Sequence, residues 1–151
     1  MKKILYLLAI LTGCFLAGCN ESERTELEKL EAMHSRWLKL ELTDYEYVAG
    51  YNCYCGGTGP YTLKFKDGSL DTVYLTDQEN HEIDYNTLLE LTENLTIETL
   101  FERIEENIKR NPHSFNVKYD QKYFFPTEAY FDFDEDIVDE EIGYYVRDFS
   151  F

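Results

Sequence analysis

Residues 44–68 read DYEYVAGYNCYCGGTGPYTLKFKDG, and the fold turns on how this stretch alternates. From Asp44 onward the hydrophobic period is two. Tyr45, Tyr47, Ala49, Tyr51, Cys53 and Cys55 share one face, while Glu46, Val48, Gly50 and Asn52 share the other, as successive side chains of a strand must. The pattern predicts a long half-buried strand with both cysteines on its apolar side. GGTGP is expected to end it, because several glycines and a proline do not continue a central ladder. Tyr61, Leu63 and Phe65 then alternate with Thr62, Lys64 and Lys66 in a second strand, and Asp67-Gly68 is a hairpin turn signal. A third strand is expected over 70–75, followed by a polar loop, TDQENHEIDYN, over 76–86.

Outward from this core the period becomes helical. Upstream, Leu27, Leu30, Met33 or His34, Trp37 and Leu38 recur at helical spacing between charged residues, with Ser22 as a cap for the start. Downstream, residues 87–110 read as helix in two pieces. The second carries a stripe of Ile97, Leu100, Phe101, Ile104 and Ile108, with Thr96 or Asn94 as its cap and Asn111-Pro112 as its stop. Strands follow over 115–119, 127–134 and 142–149, with a turn at 120–122 and the acidic turn EDIVDEE before the last. Short turns between neighbouring strands imply antiparallel pairing. The expected fold is therefore α+β in the order α-β-β-β-α-β-β-β: a twisted antiparallel sheet of five to six strands with two helices packed on one face. The chain's 13 tyrosines and 10 phenylalanines, all but Tyr6 and Phe15 beyond residue 19, supply most of its apolar bulk.

The first nineteen residues, MKKILYLLAILTGCFLAGC, stand apart from this domain. Lys2 and Lys3 form a basic start, and Ile4 to Phe15 an apolar stretch too short to span a bilayer. Leu16-Ala17-Gly18-Cys19 resembles the lipobox of bacterial lipoproteins, in which the cysteine is acylated and becomes the first mature residue. The resemblance implies a signal peptide over 1–19, lipidation of Cys19, a tether over 20–24 and a single domain over 25–151. Asn20, where an aspartate signals inner-membrane retention, implies an outer-membrane lipoprotein facing the periplasm in a cell that has two membranes. Removing Lys2 and Lys3 from the 14 basic residues leaves 12 against 30 acidic ones, a formal charge of −18. Such a surface repels nucleic acid and anionic lipid headgroups. The partners expected are the membrane, through the lipid, and an envelope component.

Cys14 leaves with the signal and Cys19 is acylated, so Cys53 and Cys55 remain as thiols in a compartment that permits oxidation. Residues i and i+2 of a flat strand lie about 6.6 Å apart, whereas a disulfide holds its Cβ atoms about 3.5–4.5 Å apart. A bond between them needs a local bend, which Gly56 and Gly57 permit. Buried thiols, a bridge that shapes the strand end, a redox pair, intermolecular pairing and a soft-metal site with His81 or His113 all stay open.

In DFDEDIVDEE, Asp132, Asp134 and Asp136 match the first three ligand positions of an EF-hand loop, but Ile137 and Gly143 occupy positions that need glycine and glutamate. The stretch reads as a solvated strand face and acidic turn, with Asp132, Asp134, Asp136, Asp139 and Glu140 as calcium candidates by ligand type. No G-x-S-x-G, H-E-x-x-H or phosphate-binding glycine loop occurs in the chain. His34, on or beside the apolar helix face, reads as packed. No catalytic residue and no cofactor is expected.

The order of motifs resembles a family of uncharacterised bacterial secreted proteins and lipoproteins, classed as a domain of unknown function. Asp44-Tyr45-Glu46-Tyr47 leads into Cys53-Tyr54-Cys55, Lys66-Asp67-Gly68 follows, and Thr96-Ile97-Glu98-Thr99-Leu100-Phe101-Glu102-Arg103-Ile104 matches the helix T-I-x-x-L-F-x-x-I. Tyr119-Asp120 and Pro126-Thr127 match the C-terminal part, although Gln121-Lys122 stands where that turn often has a proline. The resemblance covers residues 37–149 and implies the fold and export, with no assigned activity. The function expected is a lipid-anchored extracytoplasmic binding or envelope-associated module without catalysis; the alternative is a thiol-disulfide or metal-handling protein using Cys53 and Cys55.

Overall fold

The computed structural model describes residues 21–54, 58–76, 83–137 and 139–151. Its elements run α1 (Glu21–Leu38), β1 (Tyr45–Cys53), β2 (Thr58–Lys66), β3 (Ser69–Leu75), α2 (Tyr85–Leu95), α3 (Ile97–Lys109), β4 (Ser114–Tyr119), β5 (Pro126–Asp132) and β6 (Ile142–Ser150). The six strands form one antiparallel sheet in the order β3-β2-β1-β6-β5-β4. The expected α+β architecture holds, with the second helical stretch divided in two. The division falls at Thr96, whose extended backbone (φ −71°, ψ 151°) ends α2 and caps α3.

Three local expectations change. α1 begins at Glu21, so Ser22 lies inside the helix rather than capping it, and most of the stretch read as a tether is helical. Thr58, Gly59 and Pro60, expected to lie beyond the ladder, are part of β2. The sheet accommodates them through a register shift: Ala49 pairs with Tyr61 but Tyr51 pairs with Thr58. Such an irregularity is where a proline is tolerated inside a sheet. Gly59 has φ +108°, and a Cβ there would sit 3.0 Å from the Ala49 carbonyl oxygen and from Gly50 Cα, so the position requires glycine. Finally, Val48 is buried although it lies on the polar face of β1. β1 is a central strand, and its flanking Thr62 on β2 and Arg147 on β6 close over that face.

The helices cover the opposite face. Tyr47 and Ala49 from β1, Leu63 from β2, Ala129 and Phe131 from β5 and Val146 from β6 meet Leu91 and Leu95 of α2, the α3 stripe, and Leu30 and Trp37 of α1. All five residues of the α3 stripe are buried. Burying each aliphatic member contributes about 1.5–3 kcal/mol. Exposed pairs such as Arg24–Glu28 and Arg103–Glu106 add about 0–1 kcal/mol each, so apolar packing holds the helices on the sheet. The fully buried Tyr47 hydroxyl donates at 3.0 Å to the Leu95 carbonyl, one of the carbonyls left unpaired at the end of α2.

Candidate functional site

The chemistry of the helical layer centres on Glu98. Thr96 caps α3 by accepting a hydrogen bond from Thr99 N at 3.2 Å, which places Glu98 in the first turn, at the positive end of the helix dipole. Its two carboxylate oxygens reach back to α1. Trp37 Nε1 donates to Oε1 at 2.7 Å, and His34 Nε2 lies 2.7 Å from Oε2. The His34 ring also stacks on Phe101, with centroids 4.4 Å apart. One carboxylate thus clasps two α1 side chains one helical turn apart. Burial, reinforced by the charge of Glu98, pushes the Tyr45 hydroxyl up to about 12.

His34 and Phe101 also border a groove between α1 and α3 of about 610 Å³. Its floor is Leu27, Leu30 and Phe101. Its walls carry Glu28 and Glu31 from α1 and Glu102 and Glu105 from α3, against the single guanidinium of Arg24. Glu28 pairs with Arg24 and Glu105 with Lys109, whereas Glu31 and Glu102 have no ion-pair partner among the described residues. None of the lining residues is a serine, threonine, cysteine or lysine. A histidine against a carboxylate is the arrangement of an oriented general base, but here Nε2 faces Glu98 and the ring is stacked, which leaves Nδ1 alone for a ligand.

The sites singled out in the sequence lie elsewhere. Cys53 ends β1 opposite Ile142, is half-buried and is disulfide-bonded. Cys14, Cys19, Cys55 and His81 lie outside the described residues. A shallow cavity of about 360 Å³ beside Cys53 is lined by Asn52, Tyr54, Tyr130, Glu141 and Gly143. The hydrogen bond to Glu141 holds the Tyr130 hydroxyl above the ordinary tyrosine value. Asp134 accepts from Asp136 N at 3.0 Å and so shapes the acidic turn. Asp132 receives Ser114 Oγ at 3.4 Å, and Asp136 and Asp139 are exposed. Among the described residues no three His, Cys, Asp or Glu side chains converge on a metal position. His113 stands 3.8 Å from Glu135, just before β4, at the same end of the sheet as Cys53 but three strands across from it. The groove was missed: the α1 and α3 stripes were legible singly, but nothing local in either marks where the two helices part.

An open six-stranded antiparallel sheet, covered on one face by helices that leave an acidic-walled groove, defines a small α+β protein with a surface cleft. The chain belongs to a family of unknown function (DUF6174), whose model matches residues 29–151. No curated protein and no solved structure matches it. No helix among the described residues is long and apolar enough to cross a membrane.

Proposed function

We propose that the chain is a lipid-anchored, extracytoplasmic binding module of the bacterial envelope that works without catalysis and holds its partner in the α1–α3 groove. The observation that carries this reading is the make-up of the groove: among the described residues, an apolar floor under two carboxylates without an ion-pair partner, and no serine, threonine, cysteine or lysine in the lining. The anchor is supported by the basic start and by Leu16-Ala17-Gly18-Cys19. Residues 1–19 are then the signal, and acylation at Cys19 places α1 at the membrane surface. The test is site-specific photo-crosslinking in intact envelopes. A crosslinker at Glu31 or Glu102 is expected to give a discrete adduct, and one at Glu128 on the open sheet face is expected to give none. Equal adducts from both faces, or none from the groove, would sink the reading. Labelling with a radioactive fatty acid, abolished by Cys19→Ser, checks the anchor independently.

A second reading is favoured by the disulfide at Cys53: thiol-disulfide or metal handling by Cys53 with Cys55. Thiol titration and mass spectrometry across redox buffers separate the two. A pair locked in one state, with no bound metal, leaves the bridge as a strand-end fastening.

A further inference from the structure

We propose that the occupant of the α1–α3 groove is a basic amphipathic helix of a partner protein. The inference rests on the binding reading above and narrows it to one ligand chemistry.

Charge selects the sign. Four carboxylates and one guanidinium line the groove, and two of the four, Glu31 and Glu102, have no ion-pair partner among the described residues. The whole chain carries a formal −16, so long-range attraction acts in the same direction as the local walls. An acidic segment or an anionic bilayer meets repulsion at both ranges.

Shape selects the helix. On α1 the lining residues are Arg24, Leu27, Glu28, Leu30, Glu31 and His34, a stripe of one face. At the α-helical rise this stripe is about 15 Å long, or about three turns of a partner helix. The half-exposed Leu27, set beside the already buried Leu30 and Phe101, gives such a helix an apolar contact to cover, and lysines or arginines on its flanks reach the glutamates on both walls. Of these three, Leu27 is the one left half-exposed, so it is the contact a partner would complete.

The experiment uses the mature chain and a dye-labelled synthetic helix of about twelve residues, leucines on one face and lysines on the rest, read by fluorescence anisotropy. Two control peptides are a shuffled one that breaks the apolar face and one with glutamate for lysine. The leucine–lysine helix is expected to bind, the controls to bind at least about tenfold more weakly, and binding to weaken with salt. Glu31→Lys with Glu102→Lys is expected to lower affinity by about tenfold or more, while the same charge change at Glu93→Lys with Glu135→Lys stays within about twofold. All four positions are exposed, and circular dichroism checks that each variant is folded. Equal losses from both double variants would overturn the proposal, because net charge alone would then account for binding. So would a chain already dimeric whose dimer is broken by Leu27→Glu, since the groove would then belong to a second copy. No peptide binding, with the groove crosslink retained in envelopes, overturns this inference and leaves the binding reading standing; loss of both removes both.

Discussion

Glu98 is the residue on which the helical layer depends most, because its carboxylate accepts from the buried Trp37 indole and faces His34 at the same time. Glu98→Ala leaves the indole N–H, in a residue only 5% exposed, without its partner. Its expected cost in urea unfolding is about 1–3 kcal/mol, whereas Glu98→Gln keeps an acceptor and is expected to cost less than about 1 kcal/mol. Equal losses for the two variants would mean that charge rather than hydrogen bonding matters there. In the sequence Glu98 looks like any acidic residue in a helix's first turn. Its partners lie 61 and 64 residues away, and no periodicity reports a pairing at that distance. His34 was legible as a packed residue because it falls on the apolar side of α1, and its stacking on Phe101 bears that out. Gly59 shows the opposite case. The glycine-rich stretch was visible, but its need for glycine comes from the backbone of the neighbouring strand, which local sequence does not encode.

Among the elements, α3 was readable as a piece of its own because Thr96 marks its start, whereas the head of α2 was not: residues 84–86 read as loop, and the structure starts that helix at Tyr85. Asp84 Oδ1 accepts from Asn86 N and Thr87 N at the head of α2, and Thr96 performs the same task for α3. Thr96→Ala is expected to cost about 1 kcal/mol and to speed amide exchange in the first turn of α3. At Asp84 the hydrogen bond from the Thr87 side chain, with the backbone bonds, holds the carboxyl below its ordinary value. A depressed carboxyl stabilises the folded state above its unfolded pKa, and that contribution is lost as pH falls through the lower folded value. Amide protection in α2, taken relative to the intrinsic exchange rate at each pH, should therefore fall on acidification before protection in α3 does; simultaneous loss would refute the cap's separate role. The strands were legible in number and in their succession along the chain but not in their irregularities. Strict alternation from Val146 sends Phe149 to the outer face. Instead the register of β6 against β1 shifts between Glu46 and Val48, Asp148 takes φ 56°, and Phe149 turns inward onto Trp37, Tyr45 and Phe125. A bulge is settled by what the strand must pack against, so alternation alone does not reveal it.

At the scale of the molecule, tyrosines give the fold a characteristic alkaline limit. Burial, foremost, holds Tyr47 well above its ordinary value, and raises Tyr119 and Tyr144 with it; Tyr45 is pushed up to about 12. Between the unfolded value of about 10 and these raised values, the folded state keeps protons that the unfolded chain has released. Stability contributed in this way is intact below about pH 10 and falls as pH rises further. Urea midpoints are expected to be level up to that point and to decline beyond it, together with a delayed rise of tyrosinate absorbance. Tyr47→Phe should soften the decline, and a midpoint that holds constant through the alkaline range would contradict the assignment. The fold class itself was legible because strands, turns and helices each announce themselves locally. The order of strands was not, since β1 and β6 lie about a hundred residues apart in the chain (Glu46 opposite Ser150) and meet only in space.

That seam sets a timetable. β1, β2 and β3 form one run of neighbours, and β4, β5 and β6 another, and the two runs are joined only where β1 pairs with β6. A growing chain that has reached residue 141 has made five of the six strands, yet it holds two separate half-sheets. One half has the β1 edge bare and the other has the outer edge of β5 bare, and open edges of this kind invite pairing with the wrong neighbour. Residues 142–150 are thus the keystone of the sheet. Their pairing with β1 on one side and β5 on the other closes the sheet, and without them it has two unfinished margins.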